Sequence, residues 1–146
     1  MRGRITMDGQ YAISINGAKP QIIHNMITNA GLALLAQNLV AATDSRILYI
    51  AIGTSSTAVS ASDTQLSVEV YRQAVTAISR SGGVVTSTFY LSTGEANVAI
   101  AEIGIFAGDA TAAANSGTLL SRILWSHTKT ADEEITITRT DTIARG

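Results

Sequence analysis

"RILYIAIG", residues 46–53, decides how the rest of the chain is read. It is rich in β-branched and aromatic residues and apolar on both faces, as a central strand would be. From here onward the hydrophobic period is two. "RQAVTAISRSGGVVTSTFYLS" (72–92) reads as two strands joined at Ser81-Gly82-Gly83, a hairpin loop by composition. "VAIAEIGIFAG" (98–108) sets Ile103 and Ile105 on one side and Glu102, Gly104 and Phe106 on the other. "TLLSRILWSHT" (118–128) sets Leu119, Ile123 and Trp125 against Leu120, Arg122 and Leu124. "EEITITRTDTI" (133–143) alternates Ile135 and Ile137 inward with Thr136 and Thr138 outward. Strands separated by Gly, Ser, Asn and Asp turns, with no βαβ rhythm, predict a mainly β fold, an antiparallel β-sandwich or jelly-roll-like domain.

Upstream of residue 46, Ile5 to Ile15 reads as one or two short strands broken at Asp8-Gly9, a hairpin dipeptide, and Gly17 to Pro20 as a turn. "TNAGLALLAQNLVAA" (28–42) carries one N-terminal amphipathic helix, expected over about 29–42 and capped by Thr28 or Asn29. Leu32, Leu35, Ala36, Leu39 and Val40 follow helical spacing and form an apolar stripe expected to lie on a sheet. Residues 1–20 are expected to be an N-terminal arm or added strand, and 21–146 a single β-sandwich domain. Residues 107–118, "AGDATAAANSGT", read as a long small-residue loop between two strands.

Of the 146 residues, 46% are hydrophobic and only 14% charged, against about 25% charged in an average soluble domain. Ala, Ser and Thr fill the deficit, and such a surface suits packing against other subunits. Net charge is −1. Arg2, Arg4, Lys19, Arg46, Arg72, Arg80, Arg122, Lys129, Arg139 and Arg145 are scattered, which argues against a nucleic-acid partner. The absence of cysteine removes disulfide and thiolate chemistry. No apolar run approaches the roughly 20 residues of a membrane span, and "MRGRITMDGQ" lacks the pattern of a signal peptide. The expectation is a protein folded in a cytoplasm with no membrane partner.

Each motif with possible chemistry meets an obstacle. His24 and His127 are not at ligand spacing from one another or from a carboxylate pair. Gly53-Thr54-Ser55-Ser56-Thr57 has the look of a phosphate cradle or a nucleophile loop, but it lacks the lysine of a P-loop and the G-x-S-x-G elbow. Glu95 and Glu102 supply two carboxylates, the minimum for glycoside hydrolysis, yet at 5% aromatic the chain has few platforms for a sugar. Asp132-Glu133-Glu134 lacks the regular oxygen spacing of a calcium loop and reads as a solvated turn. Glu69 and Arg72 pair as i, i+3 neighbours if residues 62–73 form a helical turn; alternatively Arg72 reaches Glu102 beneath the sheet. The expectation is no catalytic, cofactor-binding or metal site.

The order of features carries a resemblance. "NMITNAGLALLAQNLV", "YIAIGTSSTAVSASDTQLSVEVYRQAV", "GEANVAIAEIGIFAG" and "SGTLLSRILWSHTKTADEEITITRTDTI" follow one another from Asn25 to Ile143. The series resembles a family of small structural proteins of tailed bacteriophages, with a helix, an I-G-T-G-T-T-like turn, a D-T-x-L…E…R segment and an E-I-G-L-F strand. An L-x-R strand, a K-T-x-D-E turn and a T-I-T-like strand close the pattern. The departures are Ser55 at the second turn glycine and Val59 at the following proline. What the resemblance implies is a non-enzymatic virion protein, a homo-oligomer (trimer favoured) that contacts other virion proteins. Capsid decoration is favoured over a head- or tail-fibre, collar or baseplate role, and a receptor- or glycan-binding tip is the rival of a different class. That rival predicts exposed aromatic residues in the loops 54–64 and 107–118, which contain none.

Overall fold

The computed structural model describes residues 3–146. In chain order it contains β1 (Ile5–Ile15), β2 (Gln21–Asn25), α1 (Asn29–Gln37), β3 (Ile47–Gly53), β4 (Glu69–Ala74) and β5 (Ala77–Ser81). β6 (Val84–Leu91), β7 (Ala99–Ala107), β8 (Thr118–Thr128) and β9 (Ile135–Arg145) complete it. The strands form two antiparallel sheets, a five-stranded one in the order β2-β1-β9-β6-β5 and a four-stranded one in the order β4-β3-β7-β8. The mainly β sandwich expected from the alternating patterns is therefore present, open at its edges and not closed into a barrel. The chain lays down strands two at a time, changing sheet after each pair, and β9 then slots between β1 and β6.

Alternation explains what lies between the sheets. From the five-stranded sheet, Tyr11, Ile13, Phe89, Leu91, Ile135 and Ile137 point inward; from the four-stranded sheet, Ile50, Ile52, Ile103, Ile105 and Ile123 meet them. Burial of this β-branched and aromatic surface is the main driving force for closing the sandwich.

Five local expectations are corrected. Asp8-Gly9 is not a turn: β1 runs unbroken past it, with Asp8 opposite Thr142 and Gly9 opposite Asp141. Residues 72–81 are not one strand. The chain leaves the four-stranded sheet after Ala74 and joins the five-stranded sheet at Ala77. The helix stops at Gln37 instead of reaching residue 42. Asn38 accepts a bond from Thr43 N–H (3.1 Å) and donates one to Ser45 Oγ (2.6 Å), folding the following segment back on itself. Thr28 is the cap, accepting from Gly31 N–H at 2.9 Å.

The helix also presents a different face. Gly31 is its buried residue, and a Cβ there would lie 2.8 Å from Leu120 Cδ1. The helix thus approaches β8 through the position with no side chain, which turns the apolar stripe outward. Leu32 is 50% exposed and Leu39, just past the helix end, 90%. The fifth correction concerns β8. Ile105 pairs with Ser121 but Phe106 with Leu119, a bulge at Leu120. One extra residue reverses the alternation, so Leu120 joins the inter-sheet core and Leu119 the opposite face.

Candidate functional site

The outer face of the four-stranded sheet is covered by two loops, residues 54–68 and 109–117. Beneath them Ala51, Leu66, Phe106, Ala110 and Leu119 form a second, smaller apolar cluster. Gly104 provides the floor: a Cβ there would lie 2.7 Å from Leu66 Cδ2 and 2.9 Å from Leu119 Cδ1.

Two buried ion pairs fasten this layer. Glu102 projects from β7 under the first loop and accepts from Ser55 N–H (3.1 Å), Ser67 N–H (2.9 Å) and Val68 N–H (2.9 Å). Arg122 Nε donates to the same carboxylate at 2.8 Å. The rest of its guanidinium donates to Thr57 O (2.8 Å), Ala58 O (3.3 Å) and Asp63 Oδ2 (3.3 Å). Side-chain exposures of 0% for Glu102 and 1% for Arg122 place the pair out of solvent. Burial acts to raise the Glu102 pKa, but the bonds from Val68 N–H, Arg122, Ser67 N–H and Ser55 N–H outweigh it and hold it below 4.5. Gly53 leaves room for the carboxylate, since a Cβ there would lie 2.5 Å from Glu102 Oε2. Of residues 53–57, the stretch with the look of a phosphate cradle, Ser55 gives its N–H to the chain's own Glu102, and Ser67 and Val68 at the far end of the loop supply the other two backbone donors.

The second pair holds the second loop. Ile52 pairs with Tyr71 and Gly53 with Glu69, so Val70 is an extra residue in β4. This bulge brings Glu69 and Arg72 to one face of a strand, and no helical turn is involved. Arg72 binds Glu69 in a fork, Nε to Oε2 and Nη2 to Oε1, both 2.9 Å. Its Nη1 donates to Thr111 O, Ser116 O and Ser116 Oγ at 2.9 Å. The guanidinium lies over the Phe106 ring, 4.3 Å from its centroid. Of the two pairings open for Arg72, the structure contains the one with Glu69; the partner of Glu102 is Arg122.

A third buried pair lies between the sheets and follows from extending the β9 alternation two steps further. Arg139 donates to Asp141 through Nε (3.1 Å) and Nη2 (2.7 Å). Its Nη1 donates to Asn25 Oδ1 and Ser121 Oγ, both at 2.7 Å. Tyr11 lies under it, ring centroid 4.7 Å away, with its hydroxyl bonded to Ser121. Burial raises the Tyr11 pKa above its ordinary 10.0 against the opposing effect of Arg139.

The other singled-out residues are dispersed. His24 is exposed, 3.9 Å from Asp8. His127 Nε2 lies 3.1 Å from Glu133 and its ring stacks on Trp125 at 5.2 Å. Glu133 also accepts from Thr130 N–H at 2.9 Å and so closes the acidic turn. Glu95 accepts from Ser92 N–H at 2.9 Å at the end of β6, in a different environment from Glu102. Among the described residues no group of three His, Cys, Asp or Glu converges as metal ligands, and no helix is long and apolar enough to cross a membrane.

The chain is thus an antiparallel β-sandwich in which two buried ion pairs pin loops onto a sheet and a third lies between the sheets. No protein-family model, curated protein or solved structure matches it.

Proposed function

We propose that this protein is a non-enzymatic structural subunit of a tailed-bacteriophage virion, a decoration (cement) protein that binds the assembled capsid, as a trimer, in the host cytoplasm. The observation that carries this reading is the apolar exposed surface around α1, where Leu39 is 90%, Val40 81% and Ile5 79% exposed. Contiguous exposed apolar side chains on a small domain mark an interaction surface. The loop layer supports the same reading. Its Ser, Thr and Ala residues form a surface held in place by buried ion pairs, which lowers the ordering cost of docking against another subunit.

A cement protein stabilises the assembled lattice by binding it in preference to the dissociated state. The test is sedimentation velocity of the purified protein with calorimetry of undecorated capsids before and after its addition. The expected outcome is a discrete oligomer and a capsid melting temperature that rises with added protein until sites saturate. A concentration-independent monomer without effect on capsid melting would sink the proposal.

A further inference from the structure

The charges of the chain are not distributed as its net value implies. Arg46, Arg72, Arg122 and Arg139 each pair with a carboxylate of the chain itself. Arg4, Arg80 and Arg145 have no carboxylate partner among the described residues. All three stand at one end of the sandwich. Arg145 is opposite Ile5 across the β1–β9 ladder, and Arg4 precedes Ile5. Arg80 is opposite Val85 beside the β5–β6 turn, where Gly83 O accepts from Ile143 N–H at 2.8 Å.

At the same end runs an open groove of about 450 Å³, walled by Leu32, Leu35 and Leu39 on one side and Ile5, Met7 and Ile143 on the other. An adjoining depression of about 230 Å³ shares Met7, Leu35 and Ile143 and continues to Ile78 and Val85, next to Arg80; its charged lining residues, Arg46 and Asp141, are already paired with Asp44 and Arg139. The result is an apolar trough with Arg145, opposite Ile5, and Arg80, opposite Val85, on the sheet face that floors it, while Arg4 lies on the other face of β1 beside Thr6. A helix wall and an apolar floor suit an amphipathic segment laid lengthwise, its side chains filling the trough at intervals. Arg80 and Arg145 select the charge of that segment.

We infer that this groove docks an amphipathic segment of another protein of the assembly, apolar along one face and bearing carboxylates that meet Arg80 and Arg145. A second copy docked groove to groove would set arginine against arginine, and like charges across an interface oppose it. The inference rests on the virion reading only for the source of the segment; the groove's chemistry is testable apart from it.

The probes are two fluorescein-labelled helical peptides of about 15 residues, with Leu at i, i+3, i+4 and i+7 spacing and either Glu or Lys at the polar positions. Fluorescence anisotropy on the full chain should show the Glu peptide binding at least about tenfold tighter than the Lys peptide at low salt, a difference that narrows as salt screens the two arginines. Reversal of charge in Arg80→Glu/Arg145→Glu should invert the preference, and Leu32→Asp/Leu39→Asp should abolish binding of both peptides. Circular-dichroism melting verifies that these surface variants fold. Equal affinity for the two peptides, no binding of the Glu peptide at millimolar concentration, or unimpaired binding by Leu32→Asp/Leu39→Asp would each overturn the inference. So would sedimentation showing self-association of the unmodified chain that Leu39→Asp removes, since a second copy would then occupy the groove. Failure of the capsid-melting test with success of the peptide test would reject the virion source and leave the groove's specificity standing.

Discussion

Glycines at Gly9, Gly53 and Gly104 mark where a charged or bulky group crosses close to a strand. Gly9 is the clearest case: a Cβ there would run into Arg139 Nη2 and lie 2.7 Å from Asn25 Oδ1. The Asp-Gly dipeptide that reads as a turn is therefore a strand residue kept small for a guanidinium. Gly9→Ala is expected to destabilise by about 1–3 kcal/mol, as overpacking does, whereas Gly94→Ala, with nothing within 4 Å, should be close to neutral. Urea unfolding of the two variants checks the contrast. At Glu102 the expectation concerns charge. Glu102→Gln leaves the buried Arg122 with only the longer contact to Asp63 Oδ2 at 3.3 Å as counter-ion, a loss of up to about 3–5 kcal/mol by the usual behaviour of broken buried pairs. The pH dependence has a definite sign. Because the folded-state pKa lies below the ordinary 4.5, the contribution of Glu102 is complete above about pH 4.5 and is lost as pH falls through the lowered value. Unfolding free energy measured between pH 6 and pH 3 should thus fall less steeply in Glu102→Gln than in the unmodified chain. Some slope should remain, since Asp44 and Glu133 are also lowered.

Most strands were legible as elements because alternation is a local property, and β6, β7 and β9 lie where their period of two puts them. Which sheet each strand joins was not legible, because a change of sheet at Val75-Thr76 needs no Gly or Pro and leaves the hydrophobic pattern intact. The bulges at Val70 and Leu120 were hidden for a related reason: each adds one residue, and only the partner strand reveals it. The helix shows the opposite failure. Its spacing named a stripe, but tertiary packing chose Gly31 as the contact. The candidate site was legible in part. The missing lysine argues against a P-loop from the sequence alone, while the use of the loop's Ser55 N–H on Glu102 depends on a residue 47 positions away. One consequence belongs to this scale. Leu66, 1% exposed, plugs the loop 54–68 onto Gly104. Leu66→Ala should cost about 2–5 kcal/mol and make residues 55–65 the first site of limited proteolysis, with the five-stranded sheet still protected. Equal protection of the loop in both chains would mean that the ion pair alone holds it.

At the scale of the molecule, the two ends of the chain meet in one ladder. β1 and β9 pair from Ile5–Arg145 to Ile15–Ile135, and Gly146 N–H bonds Arg4 O at 2.8 Å. Contacts of such sequence separation are entropically late, so folding in milliseconds to seconds is the expectation for this topology. They also determine what the first twenty residues do. β1 is an inner strand that gives Tyr11 and Ile13 to the core, both at most 2% exposed, and it places the Tyr11 ring under Arg139. Removing residues 1–20 would open the edge of β9, uncover the inter-sheet core and leave β2 without a neighbour. A chain beginning at residue 21 should therefore lose its cooperative thermal transition and its near-ultraviolet signal from packed aromatic rings. A peptide spanning residues 3–16, added in trans, should restore both, because it supplies the missing ladder and its inward side chains together. Recovery would show that β1 can be exchanged between chains, the step by which neighbouring copies could link sheets in an assembly. A truncated chain that melts cooperatively near the full-length temperature would show instead that the strand is an accessory to a self-sufficient domain, and linkage through β1 would then have no energetic basis.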